Sequence, residues 1–231
     1  MLQYFTDHTM HLLSGRCIDP IFHDMEKLDL AKLHKQYYTA KTRPEIVEFW
    51  KARYISISGK GDPSGGDYMQ RIGVLYPVAY TLKFMFKTQG KDFSVAKLEG
   101  LWWYDVQKFG RPTIEEAPLK IPRSEWEYRM LIRLPDYVSG ADVVQAIETV
   151  IFKKRLTLAN EVEFYEMTEG KCVQMLHVGP FDQEPESLKL IEVFCKEHGF
   201  KQNGLHHEIY LSDFRRTAPE KLKTILREPV I

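Results

Sequence analysis

The chain is short of every feature that marks a specialised surface. Lys+Arg and Asp+Glu are balanced at 32 each across 231 residues, and no charge run breaks the balance. A nucleic-acid partner would demand a basic stripe, so none is expected. No apolar run approaches the ~20 residues of a membrane-spanning helix, so no membrane partner is expected either. Cysteine is scarce: Cys17, Cys172 and Cys195 are widely spaced and odd in number. With no C-x-x-C pair they fit neither a disulfide framework nor a zinc pattern, and they read as reduced thiols of a cytoplasmic protein. Gly59, Gly61, Gly65 and Gly66 cluster, but no GK[ST] and no G-x-G-x-x-G accompanies them, which argues against a nucleotide cofactor. Residues 1–24 hold only a short apolar patch at 10–13. They read as an upstream extension without chemistry or a signal peptide.

What the chain has in quantity is apolar and aromatic side chains, 44% and 13% of the total. That excludes a disordered polymer and suits one large domain or two small ones. Residues 25–38 form a weak amphipathic segment. Residues 49–60 alternate and predict a strand, with Ile55 and Ile57 on one side. A Gly/Pro loop follows, then a helix over 67–87 whose Ile72, Leu75, Ala79, Leu82 and Phe86 make one buried face. Pro77 sits inside that helix. Further strands are expected at 93–104 and 126–134, separated by an irregular loop over 105–124. A helix over 141–154, a hairpin over 164–179 turning at Glu169-Gly170, a helix over 185–198 and strands at 206–211 and 223–228 complete the pattern.

The order strand, loop, helix, strand, strand occurs twice, in halves of about 50–135 and 161–231. Asp62-Pro63 in the first loop answers Gly179-Pro180 in the second. The strand after each helix carries a lone acid among rings and aliphatics: Glu99 in Leu98-Glu99-Gly100-Leu101-Trp102-Trp103, Glu208 in His207-Glu208-Ile209-Tyr210. Duplicated units bury together what neither buries alone. Alternation gives Glu99 and Trp103 one side of their strand, and His206, Glu208 and Tyr210 one side of theirs. If those sides meet, two carboxylates and several rings line one cleft, and loss of hydration prepares an acid for general-base work. Glu208, Glu99 and Tyr210 are therefore the candidate catalytic groups. A second aromatic row on the long helix, Tyr80 and Phe84, needs something to pack on and extends the candidate ligand wall, as do Trp103, Trp126, Tyr128 and Met130. Met175, His177 and His206 are further ligand candidates. His206 and His207 are adjacent in a strand and point to opposite faces, so they cannot chelate one ion, and no metal is expected.

The run 206–227, His206-His207-Glu208-Ile209-Tyr210-Leu211-Ser212-Asp213 onward through Thr217-Ala218-Pro219-Glu220-Lys221-Leu222, closely resembles the C-terminal signature of the GyrI-like small-molecule-binding proteins. Leu98-Glu99-Gly100-Leu101-Trp102-Trp103 and Val78-Ala79-Tyr80-Thr81 resemble them too. Phe214 stands where that signature favours proline, which touches a turn and no site residue. The resemblance spans 25–231. It implies an α+β fold of two strand-helix-strand-strand units, an antiparallel sheet with helices, and a ligand cleft at the pseudo-twofold. It also implies a buried glutamate at Glu208 that meets cationic aromatic ligands; with no nucleotide motif and no metal pattern, no cofactor is expected. A stand-alone subfamily with this signature is similar to cyclopropanoid cyclopropyl hydrolases, which open the cyclopropane of DNA-alkylating natural products in an aromatic cage. The other expectation is a non-catalytic binder that sequesters cationic aromatic compounds.

Overall fold

The computed structural model describes residues 27–231. The extension over 1–24, with Cys17, lies outside the described residues. Eight strands form one antiparallel sheet: β1 Glu45–Phe49, β2 Ala52–Lys60, β3 Leu98–Trp103, β4 Glu127–Leu134, β5 Glu163–Met167, β6 Gly170–Val178, β7 His206–Tyr210 and β8 Lys223–Pro229. Their spatial order is β1-β6-β8-β7-β3-β4-β2-β5. The helices are α1 Leu30–Leu33, α2 Gly66–Thr88, α3 Val106–Phe109, α4 Ala117–Lys120, α5 Gly140–Lys154 and α6 Glu184–Glu197.

The duplication is visible in this order. The unit β2-α2-β3-β4 contributes β3-β4-β2 to the sheet, and β6-α6-β7-β8 contributes β6-β8-β7. The two triplets are the same arrangement related by a twofold, and β3 pairs with β7 at its centre. The stretch read as a hairpin over 164–179 is not one, because β5 pairs with β2 while β6 pairs with β1 and β8. One register runs from Glu45↔Gln174 to Phe49↔Gly170 and resumes at Ala52↔Met167. So β1–β2 is one long strand broken at Trp50-Lys51, β5–β6 is another broken at Thr168-Glu169, and the two pair along their length. The nominal ends of the sheet are thereby joined through the chain, and the sheet curls back on itself. Two strand limits also move. The first strand starts earlier than expected, with β1, and the expected strand at 93–104 begins at Leu98, its early residues making only a bridge from Phe93 to Leu28.

Alternation sorts the side chains into two faces. One carries α2, α5 and α6. There Ile55, Ile57, Met130 and Ile132 meet Ile72, Leu75, Val78, Ala79 and Leu82 of α2 and Val143, Ala146 and Val150 of α5. Val173, Met175 and Leu226 meet Leu188 and Ile191 of α6. Each fully buried aliphatic side chain contributes about 1.5–3 kcal/mol. α5 starts on a capping box in which Ser139 and Asp142 satisfy each other's backbone N–H groups. The opposite face is closed by residues 28–40, with Leu30, Tyr37 and Tyr38 packed against Val47, Phe49, Cys172, Ile209 and Ile225.

Candidate functional site

The central strand pair decides which residues can meet. In β3–β7, Glu99 stands opposite Ile209, Gly100 opposite Glu208, and Trp102 opposite His206. Cross-strand partners share a face. Gly100, Trp102, His206, Glu208 and Tyr210 therefore lie on the helix-bearing face, and Glu99, Leu101, Trp103, His207 and Ile209 on the enclosed one. The expected cleft with both glutamates does not form. A one-residue change of register inverts the face of every side chain, and here the register sets the two acids on opposite sides. Trp103 goes with Glu99, packing near Tyr54, Leu101 and Leu131. Trp102 takes the place expected for Trp103.

On the helix-bearing face Glu208 is 13% exposed. The Tyr210 hydroxyl donates to its Oε2 at 2.6 Å, and His206 Nε2 lies 3.2 Å from its Oε1. Trp102 Nε1 donates to the Tyr210 hydroxyl at 3.1 Å. The convergence needs Gly100: a Cβ there would sit 2.9 Å from Trp102 Nε1 and 3.0 Å from the Tyr210 hydroxyl. The other ring nitrogen of His206, Nδ1, hydrogen-bonds Glu228 Oε1. Burial alone would lower the His206 pKa, but the Glu228 and Glu208 carboxylates outweigh it and hold the imidazole protonated well above its usual range. Burial, then the charge of Glu208, pushes the Tyr210 hydroxyl well above the ordinary tyrosine value, so it stays a donor.

The first turns of α2 and α6 bring two residues that the sequence pattern did not single out. Tyr68 packs on Trp102 with ring centroids 5.9 Å apart, and edge-on to Tyr128 at 4.9 Å. Glu184, the first residue of α6, is 8% exposed, and its Oε1 has no hydrogen-bond partner. Burial, then the neighbouring Glu208 charge, raises the Glu184 pKa well above its ordinary value. In sequence it looks like an ordinary acidic first turn before Pro185. The only signal available was its place in the repeat, where Tyr68 occupies the matching turn of α2. Phe181, just before α6, meets Tyr210 edge-on at 6.0 Å and Phe214 at 6.4 Å.

The remaining candidates are dispersed. Tyr128 and Met130 are fully buried beside Trp102 in the core under α2. Trp126 is half-buried, edge-on to Trp102 at 6.4 Å. Tyr80 and Phe84 stack on each other on the solvent side of α2, 46% and 56% exposed, and wall no cleft. The inner face of α2 was already complete, and the second row simply faces outward. Met175 is core under α6. His177 is tied to Ser187 Oγ at 2.9 Å and the Pro180 carbonyl at 3.2 Å, bracing the loop before α6.

Glu99 belongs to a different construction. It is fully buried and accepts from Tyr37 at 2.5 Å and Tyr38 at 3.4 Å, with His207 Nε2 at 3.0 Å. His207 Nδ1 lies 2.8 Å from Glu169, which also takes Arg227 at 2.8 Å. Burial opposes ionisation of Glu169, but Arg227 and His207 prevail and hold its pKa at about 2. His207 is raised, its burial overcome by Glu169 and Glu99. Both oxygens of Glu99 are engaged by side chains of the fold, and nothing is left to meet a ligand. Among the described residues no group of three or more His, Cys, Asp or Glu is disposed to hold a metal ion. No helix among them is long and apolar enough to cross a membrane.

A family model for the GyrI-like small molecule binding domain matches residues 136–230. A hydrolase from Listeria innocua is 34% identical, with 89% of this chain and all of that one aligned at a TM-score of 0.75. The chain belongs to the GyrI-like small-molecule-binding family. A further structure of a Listeria innocua hydrolase gives 33% identity, the same coverages and a TM-score of 0.77. The EcmrR C-terminal domain, at 11% identity over 82% of this chain and 97% of that one, has a TM-score of 0.50 and shares the fold alone. A search of curated proteins gave no match. The GyrI-like match covers α5 to β8, and thus Glu184, His206, Glu208, Tyr210 and Glu228. The Listeria hydrolases align with 89% of the chain.

Proposed function

We propose that this GyrI-like chain binds flat aromatic electrophiles over Glu208 and hydrolyses the cyclopropane of cyclopropanoid DNA-alkylating compounds. The observation that carries the reading is Glu208, held by Tyr210 and His206 yet partly open to solvent, with the buried Glu184 near it carrying an unpartnered oxygen. Two carboxyl groups in unlike surroundings, one buried and one partly exposed, can divide the work of acid and base. Glu208 holds a water molecule and takes its proton as the water oxygen attacks the strained methylene. The cyclopropane C–C bond breaks and its electron pair passes into the dienone, whose oxygen becomes a phenolate. Glu184 donates its proton to that oxygen. One water is added, and the two glutamates exchange protonation states, which solvent restores. General acid–base help of this kind contributes about 10²–10⁴-fold, and alignment of water and ligand adds to it. Trp102, Tyr68, Tyr210 and Phe181 supply rigid ring faces for the ligand.

The hydrolase description of the Listeria relatives supports turnover. The rival, capture of aromatic cations, wants an unpartnered carboxylate, whereas His206 already meets Glu208 Oε1. Incubating the protein with a cyclopropanoid alkylator and following the ligand by mass-resolved chromatography separates the two. The hydrolase reading expects the ring-opened phenol, one water heavier, at catalytic yield. Unchanged ligand retained on the protein would replace that reading with sequestration.

A further inference from the structure

His206 is held at both ring nitrogens, by Glu208 on its own strand and by Glu228 on β8. Strand pairing builds this arrangement. His207 stands opposite Arg227, which brings the next residue, Glu228, beside His206, while Trp102 flanks His206 from β3. Glu228 is nearly fully buried, and its second oxygen faces Gln202 Nε2 at 3.4 Å. Beyond Gln202 and Glu228 lies a cavity of about 200 Å³, bordered also by Glu192, Cys195 and Phe200. That cavity is lined by neither Glu208, Tyr210 nor Trp102. The chain Glu208–His206–Glu228 thus runs along the helix-bearing face from Glu208 to a cavity beside α6.

We propose that Glu228 is a positioning residue for Glu208. It fixes the orientation and charge of His206, which clamps Glu208 Oε1 while the Tyr210 hydroxyl holds Oε2, so that only the remaining lone pairs of the partly exposed carboxylate address water. The role of Glu208 in hydrolysis rests on the function proposed above; the clamp itself does not. A buried imidazolium between two carboxylates is costly to build from desolvated charges and is favourable only when both partners are present. Removing Glu228 leaves burial against Glu208 alone, so His206 loses its proton at lower pH. The titratable groups around His206 are Glu208, Glu228 and, from α6, Glu184, whose pKa burial and the Glu208 charge raise. With Glu228 and Glu208 both accepting, the ring holds the two carboxylates at once only when both nitrogens are protonated, so activity is present below the His206 pKa and falls as pH rises through it.

Two measurements on Glu228→Gln test this. The first is the ¹⁵N resonances of the His206 ring across pH 5–9. Both nitrogens are expected to be protonated at pH 8 in the parent, and the ring to be neutral there in the variant. The second is the pH profile of hydrolysis. In the variant the descending limb is expected near neutrality in both kcat and kcat/KM, with about tenfold loss per pH unit beyond it, while the parent stays flat. Glu228→Asp, which keeps the charge on a shorter arm, restores part of the range and serves if the Gln variant does not fold. A neutral parent imidazole at pH 8, or a uniform loss of rate with the limb unmoved, overturns the proposal. A parent that hydrolyses nothing overturns the function above and leaves the resonances to decide the clamp.

Discussion

Glu99 and Glu208 occupy matching strands of a duplicated unit, yet the molecule treats them in opposite ways. Glu99 is closed in by Tyr37, Tyr38 and His207, with Glu169 and Arg227 behind. Glu208 is anchored by Tyr210 and His206 but sits beside an acid with a free oxygen and keeps some access to solvent. An acid in an aromatic strand is thus equally a structural keystone or a reactive group. The difference lies in what covers it: residues 28–40 seal one face, whereas the first turns of two helices flank the other.

The comparison breaks most sharply on paired substitutions. Glu208→Gln is expected to cut turnover per folded molecule by about 10²–10⁴-fold, with a stability cost below that of Glu169→Gln because Glu208 is partly exposed, read by initial rates and by denaturant midpoint. Glu169→Gln, on the enclosed face, should do the reverse. Removing one partner of a buried ion pair costs about 3–5 kcal/mol, and activity per folded molecule should persist. Next in size is Gly100→Ala, whose methyl would press on Trp102, Tyr210 and Met130. Overpacking of this kind costs about 1–3 kcal/mol, and it should also lower turnover because it spreads the groups that hold Glu208. The pH dependence of stability sharpens the contrast further. The Glu169 pKa of about 2 means its contribution is complete above its unfolded value of 4.5 and is lost as pH falls through the folded one. His207, raised on folding, contributes fully below 6.5 and loses that contribution as pH rises through its folded value. Stability from this cluster should peak between about pH 4.5 and 6.5, and Glu169→Gln should flatten the acid side of the curve. Smallest is Trp103→Phe, expected to leave turnover unchanged and cost under about 1.5 kcal/mol, in contrast with Trp102→Phe, which removes the donor to Tyr210.

The repeat, the helices and most strands were legible because their signals are local: alternation at Ile55 and Ile57, and three- and four-residue spacing from Ile72 to Phe86. The family was legible in the run from His206 to Leu222. The partnership of Glu99 with Glu208 was misread because strand register is a relation between distant segments, and parity there decides the face. Glu169-Gly170 looked like a hairpin turn because a bend between two strands and a turn between two paired strands have the same local chemistry. Tyr80 and Phe84 were over-read, since exposed rings on a helix resemble buried ones until its other face is known to be filled. Glu184 was missed because the burial of a helix-start acid depends on the sheet beneath it.

The most direct test is hydrolysis of a cyclopropanoid alkylator in H₂¹⁸O by the parent, Glu208→Gln and Glu99→Gln, each rate expressed per folded molecule. Here the expected result is one ¹⁸O at the former cyclopropane carbon, near-parental turnover by Glu99→Gln, and almost none by Glu208→Gln despite retained ligand binding. Parental turnover by Glu208→Gln, or equal losses in both variants, would contradict the assignment of the chemistry to the helix-bearing face.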